Sequence, residues 1–159
     1  MSEGVLVGLI GATALGCGIV GGVFFAFSSF VMTALKRLPA AEGMAAMRSI
    51  NRVAVTPPFM AALFGTAAAC LVLALTALAG WTDGRAGWLL AGSGVYLAGV
   101  VAVTAMFNVP RNEALALVDP ESAEGGKLWQ RYAIEWTAWN HVRTVAGAAA
   151  SALLMAGLR

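Results

Sequence analysis

Three long stretches of this chain contain no charged residue: Gly4 to Leu35, Val53 to Thr82 and Ala86 to Pro110. Each exceeds the roughly 20 apolar residues that cross a hydrocarbon layer of about 30 Å. A fourth, weaker stretch runs from Trp136 to Leu158 and is interrupted by His141 and Arg143. Only 11% of the 159 residues are charged, against about 25% in soluble domains, so too few charges are available to cover a water-exposed surface. An ordinary soluble fold is excluded, and so is disorder, which needs low hydrophobicity and high charge. The expected fold is all-α: a single four-span integral membrane domain over residues 1–159, a four-transmembrane-helix bundle. Its spans are expected at about 5–35, 56–80, 87–108 and 136–158.

The first stretch lacks a basic leader and is longer than the apolar segment of a signal peptide, so it reads as a permanent helix. Small residues let membrane helices approach closely, and Gly18 and Gly22 form one such small-xxx-small pair. Lys36, Arg37, Arg48 and Arg52 follow the first span, and Arg111, Lys127 and Arg131 follow the third. The opposite side has only Arg85 and Arg159. The positive-inside rule then puts both long connections in the cytoplasm and both termini outside, in the plasma (inner) membrane. A net charge of +2 gives no reason to expect nucleic acid as a partner.

The short outer loop is expected to pivot at Asp83 and Gly84. On the inner side, Pro39 can open an interfacial helix at about 39–52, with Glu42 near its positive end and Met44, Met47 and Ile50 on one apolar face. Thr56 is a candidate N-cap for the second span, with Pro57 at the first helical position. The third span is expected to end before Pro110, followed by a short piece from Arg111 to Val118. Asp119, Pro120 and Glu121 then offer a helix start, and Gly125 and Gly126 a possible break. Cys17 and Cys70 fall within spans and read as buried packing residues.

Counting about 20 residues back from the C-terminus places the inner membrane edge near Trp139. Arg143 then lies about 6 Å deep, at 1.5 Å per residue. An arginine within the core of a span costs about 2.5–3.5 kcal/mol on insertion scales, so it must snorkel or find a partner. Tyr132, Trp136, Trp139, Asn140 and Arg143 share one helical face, whereas His141 points roughly 160° away from Arg143 at 100° per residue. Trp129, Tyr132, Trp136 and Trp139 also fit an interfacial aromatic belt. Asn51, Asn108, Asn112 and Asn140 all fall near the same mouth, and amides there need partners. A shared polar pocket under the inner connections is the economical arrangement.

Four stretches carry a family pattern: FFAFSSFVM (24–32), AAMRSINRVAVTPPFM (45–60), NVPRN (108–112) and WTAWNHVRT (136–144). On these the chain resembles the anthrone oxygenase-like family of membrane proteins, long grouped as a domain of unknown function. The resemblance implies an oxidoreductase, a monooxygenase acting with O2 on a hydrophobic polycyclic aromatic of the anthrone type, without a cofactor. The central methylene of an anthrone is acidified by the adjacent carbonyl, and its enolate can give an electron to oxygen without a metal. Such chemistry needs an apolar slot, a base and donors for the oxyanion. His141, the sole histidine, is the expected base. Asn140, Arg143 or Asn108 would hold the oxyanion, and Trp136 and Trp139 would stack on the ring system. Asn51, Asn108, Asn112, Tyr132, Trp136 and Trp139 form the expected substrate-binding set.

Three alternatives stand beside this reading. Haem could bind through His141, alone or between two protomers. No metal is otherwise expected, because Glu113, Asp119, Glu121 and Glu135 show no ligand pairing and zinc needs three or four ligands. A small-solute transport protein would need ionisable groups along its pathway, and spans one to three contain none. A non-catalytic scaffold predicts that Asn51, Asn108 and Asn140 satisfy one another and leave no cavity; an enzyme predicts an apolar cavity opening toward them. The expected partners are the lipid bilayer, the hydrophobic substrate with O2, and a further copy of the chain in a homo-oligomer.

Overall fold

The computed structural model describes residues 2–80, 82 and 84–159. Among these the chain is all-helical, with five continuous helices and no strand. They are α1 (Glu3–Leu35), α2 (Ala40–Ala54), α3 (Pro57–Leu78), α4 (Ala86–Leu117) and α5 (Ala123–Ala156). By length and composition α1, α3 and α4 could each cross a membrane. The second half of α5 covers the fourth expected span; Asn140, His141 and Arg143 make it less apolar than the other three.

The three apolar helices have no polar side. Leu15, Phe64 and Leu75 stand outward while Ile10, Leu63 and Leu73 are buried, the pattern of a helix surrounded by apolar material on every face. α2 differs. It buries Gly43, Met44 and Met47, the apolar face its spacing predicted, and leaves Glu42 and Arg52 exposed.

α5 packs along α1 and α4, and α3 packs against the same two helices from the other side. A Cβ on Gly147 would lie 2.8 Å from Gly21 Cα, so α1 and α5 touch backbone to backbone. Ser151 Oγ donates to Ala14 O at 2.8 Å one turn further along. The close approach is thus at Gly21, one residue from the expected pair; Gly22 faces open space and Gly18 has only Ser151 Oγ at 3.5 Å from a built Cβ. On the α4 side, a Cβ on Gly99 would collide with Ala146. Cys17 and Cys70 are buried free thiols.

Glu3 pairs with Arg85 at 2.7 Å, which places the start of α1 beside the start of α4. Gly157 lies against Trp88 and Leu89, so the end of α5 is at that end as well. Gly80 and Gly84 take φ of +76° and +84° in the connection there, a region other residues adopt reluctantly. The expected pivot partner Asp83 lies outside the described residues.

The opposite end carries the long connections. α2 lies across α5, with Gly43 so close to Trp129 that a Cβ would come within 2.8 Å of its ring. Met44 and Met47 join Met32, Leu35, Leu115, Trp129 and Trp136 in a second apolar cluster. Burying each such methionine contributes roughly 1.5–3 kcal/mol. Arg48 Nε donates to Leu115 O at 2.8 Å, and its Nη2 reaches Leu115 O and Val118 O. That side chain ties α2 to the carbonyl-rich end of α4, where a cation is favoured.

Three expected boundaries moved, while Thr56 and Pro57 open α3 as expected. Pro39 precedes α2 as its N-cap rather than opening it, because its backbone is extended. Thr56 has the N-cap backbone but makes no side-chain capping bond. The piece after Pro110 is not separate: α4 continues through it. Thr104–Asn108 is a π-helical turn, and Pro110 falls in the first turn of the α-helix that follows. The wider turn removes the usual clash of a mid-helix proline ring. Finally, α5 starts at Ser122, whose hydroxyl accepts from Gly125 N at 2.9 Å, while Asp119 accepts from Glu121 N in the preceding turn. The glycine pair continues the helix.

Candidate functional site

A cavity of about 550 Å³ opens at the end that carries the long connections. Phe24 and Phe27 of α1, Met47, Ile50, Asn51 and Ala54 of α2, Phe59 and Met60 of α3, Thr104 and Asn112 of α4, and Trp136 and Arg143 of α5 reach it. Its wall is chiefly apolar, which suits a hydrophobic ligand.

Arg143 is its one lining cation among the described residues and is 4% exposed. Its Nη2 donates to Asn140 Oδ1 at 2.7 Å and its Nη1 to Thr104 Oγ1 at 3.3 Å. The Phe24 ring lies 4.1 Å from the guanidinium carbon and the Trp136 ring 5.0 Å. A desolvated cation over such faces gains about 2 kcal/mol. Among the described residues no carboxylate pairs with Arg143, and no Asp, Glu or His lines the cavity. Arg143 Nε, Trp136 Nε1 and Asn51 Nδ2 are buried without a hydrogen-bond partner.

Asn140 stands behind Arg143 and does not line the cavity. It is fully buried, and its Nδ2 donates to Phe24 O and Ser28 Oγ, both at 2.7 Å. Those acceptors flank the start of the π-helical turn Phe27–Val31 in α1. Such a turn interrupts the regular i to i−4 ladder and leaves carbonyl capacity for a side chain. Ser28 also bonds Thr144 at 3.0 Å, so one polar ladder joins α1 to α5 behind the guanidinium.

The expected site residues separate into groups. Asn51, Asn112, Trp136 and Arg143 line the cavity together. Tyr132 supports it from behind, donating to Asn112 Oδ1 at 2.8 Å; burial pushes its phenol above the ordinary tyrosine range. Asn108 is buried and donates to Trp136 O at 3.2 Å, outside the lining. Trp139 stacks on Phe107 with centroids 3.6 Å apart, also outside it. His141 is exposed on the outward face of α5, away from the cavity, as its helical phase relative to Arg143 implied. The asparagines do not satisfy one another, and no single polar pocket gathers all four.

The sequence reading missed Phe24, Phe27, Phe59, Met60 and Thr104. FFAFSSFVM and TPPFM carried the aromatic signal, but an apolar residue in an apolar span has no polar opposite face to fix its direction.

Just below this mouth, Glu135 bridges Arg111 at 2.9 Å and Arg131 at 2.7 Å. The Arg131 hydrogen bond, helped by Arg111, holds its carboxyl below the usual carboxylate range.

A family model described as anthrone oxygenase matches residues 58–153, more than half of the chain. The matched part includes Asn112, Trp136 and Arg143, while Phe24 and Asn51 precede it. Neither a curated protein nor a solved structure matches the chain.

Proposed function

The chain belongs to the anthrone oxygenase family, and from that premise we propose that it is a membrane-embedded oxygenase acting on a polycyclic aromatic ketone of the anthrone type. The four long helices form its membrane bundle, with the second half of α5 as the fourth span. The basic connections face the cytoplasm and both termini face outside, in the plasma membrane. The cavity under α2 is the substrate site, at the cytoplasmic side.

One observation carries this reading: a buried guanidinium without a carboxylate partner among the described residues lines an otherwise apolar cavity. A fixed positive group in a poorly solvated site favours the charged form of an acidic ligand. The substrate's carbonyl oxygen sits against Arg143, and loss of a methylene proton leaves an enolate whose oxyanion the guanidinium stabilises. The proton leaves to water at the mouth, since the lining offers no carboxylate or histidine as base. The methylene loses two hydrogens and gains one oxygen atom; the second atom of O2 departs as water. Asn140 and Thr104 position the guanidinium, and Phe24, Phe27 and Trp136 contact the ring system. His141, outside the cavity, takes no part in this assignment.

The test is turnover by detergent-purified protein of anthrone under O2, followed by anthraquinone absorbance and oxygen uptake. The expected result is one O2 consumed per anthraquinone formed, with Arg143→Met lowering the rate about 10²–10³-fold, the range for removing an oxyanion donor. Equal rates with and without protein would overturn the proposal. An absorption spectrum of the same sample tests the haem alternative directly.

A further inference from the structure

The unpartnered polarity of the lining side chains is one-sided; the unpartnered acceptor Asn108 Oδ1 lies outside the lining. Arg143 Nε, Trp136 Nε1 and Asn51 Nδ2 belong to three lining side chains from α5 and α2, and all three are buried N–H donors. Asn112 Oδ1, a candidate acceptor there, is taken by Tyr132, and Thr104 Oγ1 by Arg143; the Tyr132 hydroxyl lies near the Asn51 amide without completing a hydrogen bond to it. A buried donor without an acceptor costs about 1–3 kcal/mol, and more when charged. A ligand that brings acceptors recovers that cost, whereas one that brings hydroxyl or amine hydrogens to the same atoms does not.

We infer that Trp136 and Asn51 are specificity-determining donors, and that the cavity selects flat apolar ligands carrying an anionic oxygen group with at least two acceptor oxygens on one edge. Arg143 Nε and Trp136 Nε1 take the first oxygen, and Asn51 Nδ2 reads the second from the α2 side. Trp136 thus acts through its indole N–H as well as through its ring face. The inference rests on the cavity being the ligand site, but not on any turnover there.

The experiment is an equilibrium titration with two fluorescent probes of one ring size, anthracene-2-carboxylate and 2-methylanthracene. It uses the full chain in detergent and requires no reaction. Wild type is expected to bind the carboxylate at least tenfold more tightly. Trp136→Phe keeps an aromatic ring and removes the N–H; Asn51→Leu keeps the size and removes the amide. Each is expected to weaken carboxylate binding about ten- to 150-fold, the range of one net hydrogen bond to a charged group. Binding of 2-methylanthracene should stay within twofold, which also reports an intact cavity. Equal affinity of the two probes for wild type would overturn the inference. So would variants that bind the carboxylate as wild type does, or that lose both probes in equal measure. A protein that shows the preference but does not oxidise anthrone would retain this inference and lose the proposed function.

Discussion

Arg143 and Asn140 are coupled through one amide: its oxygen accepts from Arg143 Nη2 at 2.7 Å while its nitrogen donates to Phe24 O and Ser28 Oγ. A neutral group therefore holds the guanidinium in place and leaves its charge uncompensated. Asn140→Asp would supply a carboxylate at that distance and quench the field at the cavity. We expect anthrone oxidation to fall at least tenfold, with the loss in kcat rather than KM, because oxyanion stabilisation acts on the transition state. Steady-state kinetics on the purified variant checks it.

His141 is solvent- or lipid-facing on the outer side of α5 and does not reach the cavity. His141→Gln should leave turnover within twofold of wild type, because the cavity lining holds no imidazole. A tenfold or larger loss of turnover in a well-folded variant would restore histidine to the chemistry.

Gly147 and Gly22 make a matched pair for the helix contact. A Cβ at 147 meets the backbone of Gly21 at 2.8 Å, whereas one at 22 meets nothing within 4 Å. Gly147→Ala should destabilise the chain by about 1–3 kcal/mol through overpacking. Gly22→Ala should be neutral or slightly stabilising, because alanine favours the helix. Unfolding in mild detergent with increasing denaturant compares the two.

Glu135 links α4 to α5 through Arg111 and α5 to itself through Arg131. Its carboxyl lies below the ordinary value of 4.5, so the contribution is present above that pH and fades as acid titrates the folded form. The melting-temperature difference between wild type and Glu135→Gln should be constant from neutral pH down to about 5 and shrink below about 4.5. A difference that grew in acid would contradict the sign.

Arg48 holds α2 over the cavity by gripping the end of α4. Arg48→Met keeps the apolar stem and releases the carbonyls of Leu115 and Val118. Amide hydrogen exchange in 40–54 should accelerate several-fold while α1 and α3 stay unchanged. Uniform protection in wild type and variant would show that the apolar cluster alone seats α2.

Much of this architecture was readable because charge was scarce. The uncharged runs marked α1, α3 and α4, and the Met44, Met47, Ile50 spacing marked α2. Arg143 stood out because a charge in an apolar helix requires explanation, and its phase relative to His141 already separated the two. What stayed hidden was direction within the membrane segments. α1 is apolar on every side, so nothing in its sequence said that Phe24 rather than Phe25 would face Arg143. Asn108 and Asn112 looked equivalent around Pro110, yet one props Trp136 from behind and the other enters the cavity. Nor could a pattern of 3.6 residues per turn anticipate turns that do not have 3.6.

Those π-helical turns make part of the site a matter of residue count. Thr104 reaches the cavity from the first position of the turn at 104–108, and Asn112 from beyond it. That turn holds one residue more than an α-helical turn, so an ordinary α-helix of the same residue count would swing everything beyond it by about 100°. Asn112, Val109 and the carbonyls that Arg48 holds would leave their partners together, although no residue that contacts them had changed. The extra residue of that turn is therefore part of the site, and regularising the helix without removing a residue would remodel the cavity more than most substitutions in its wall.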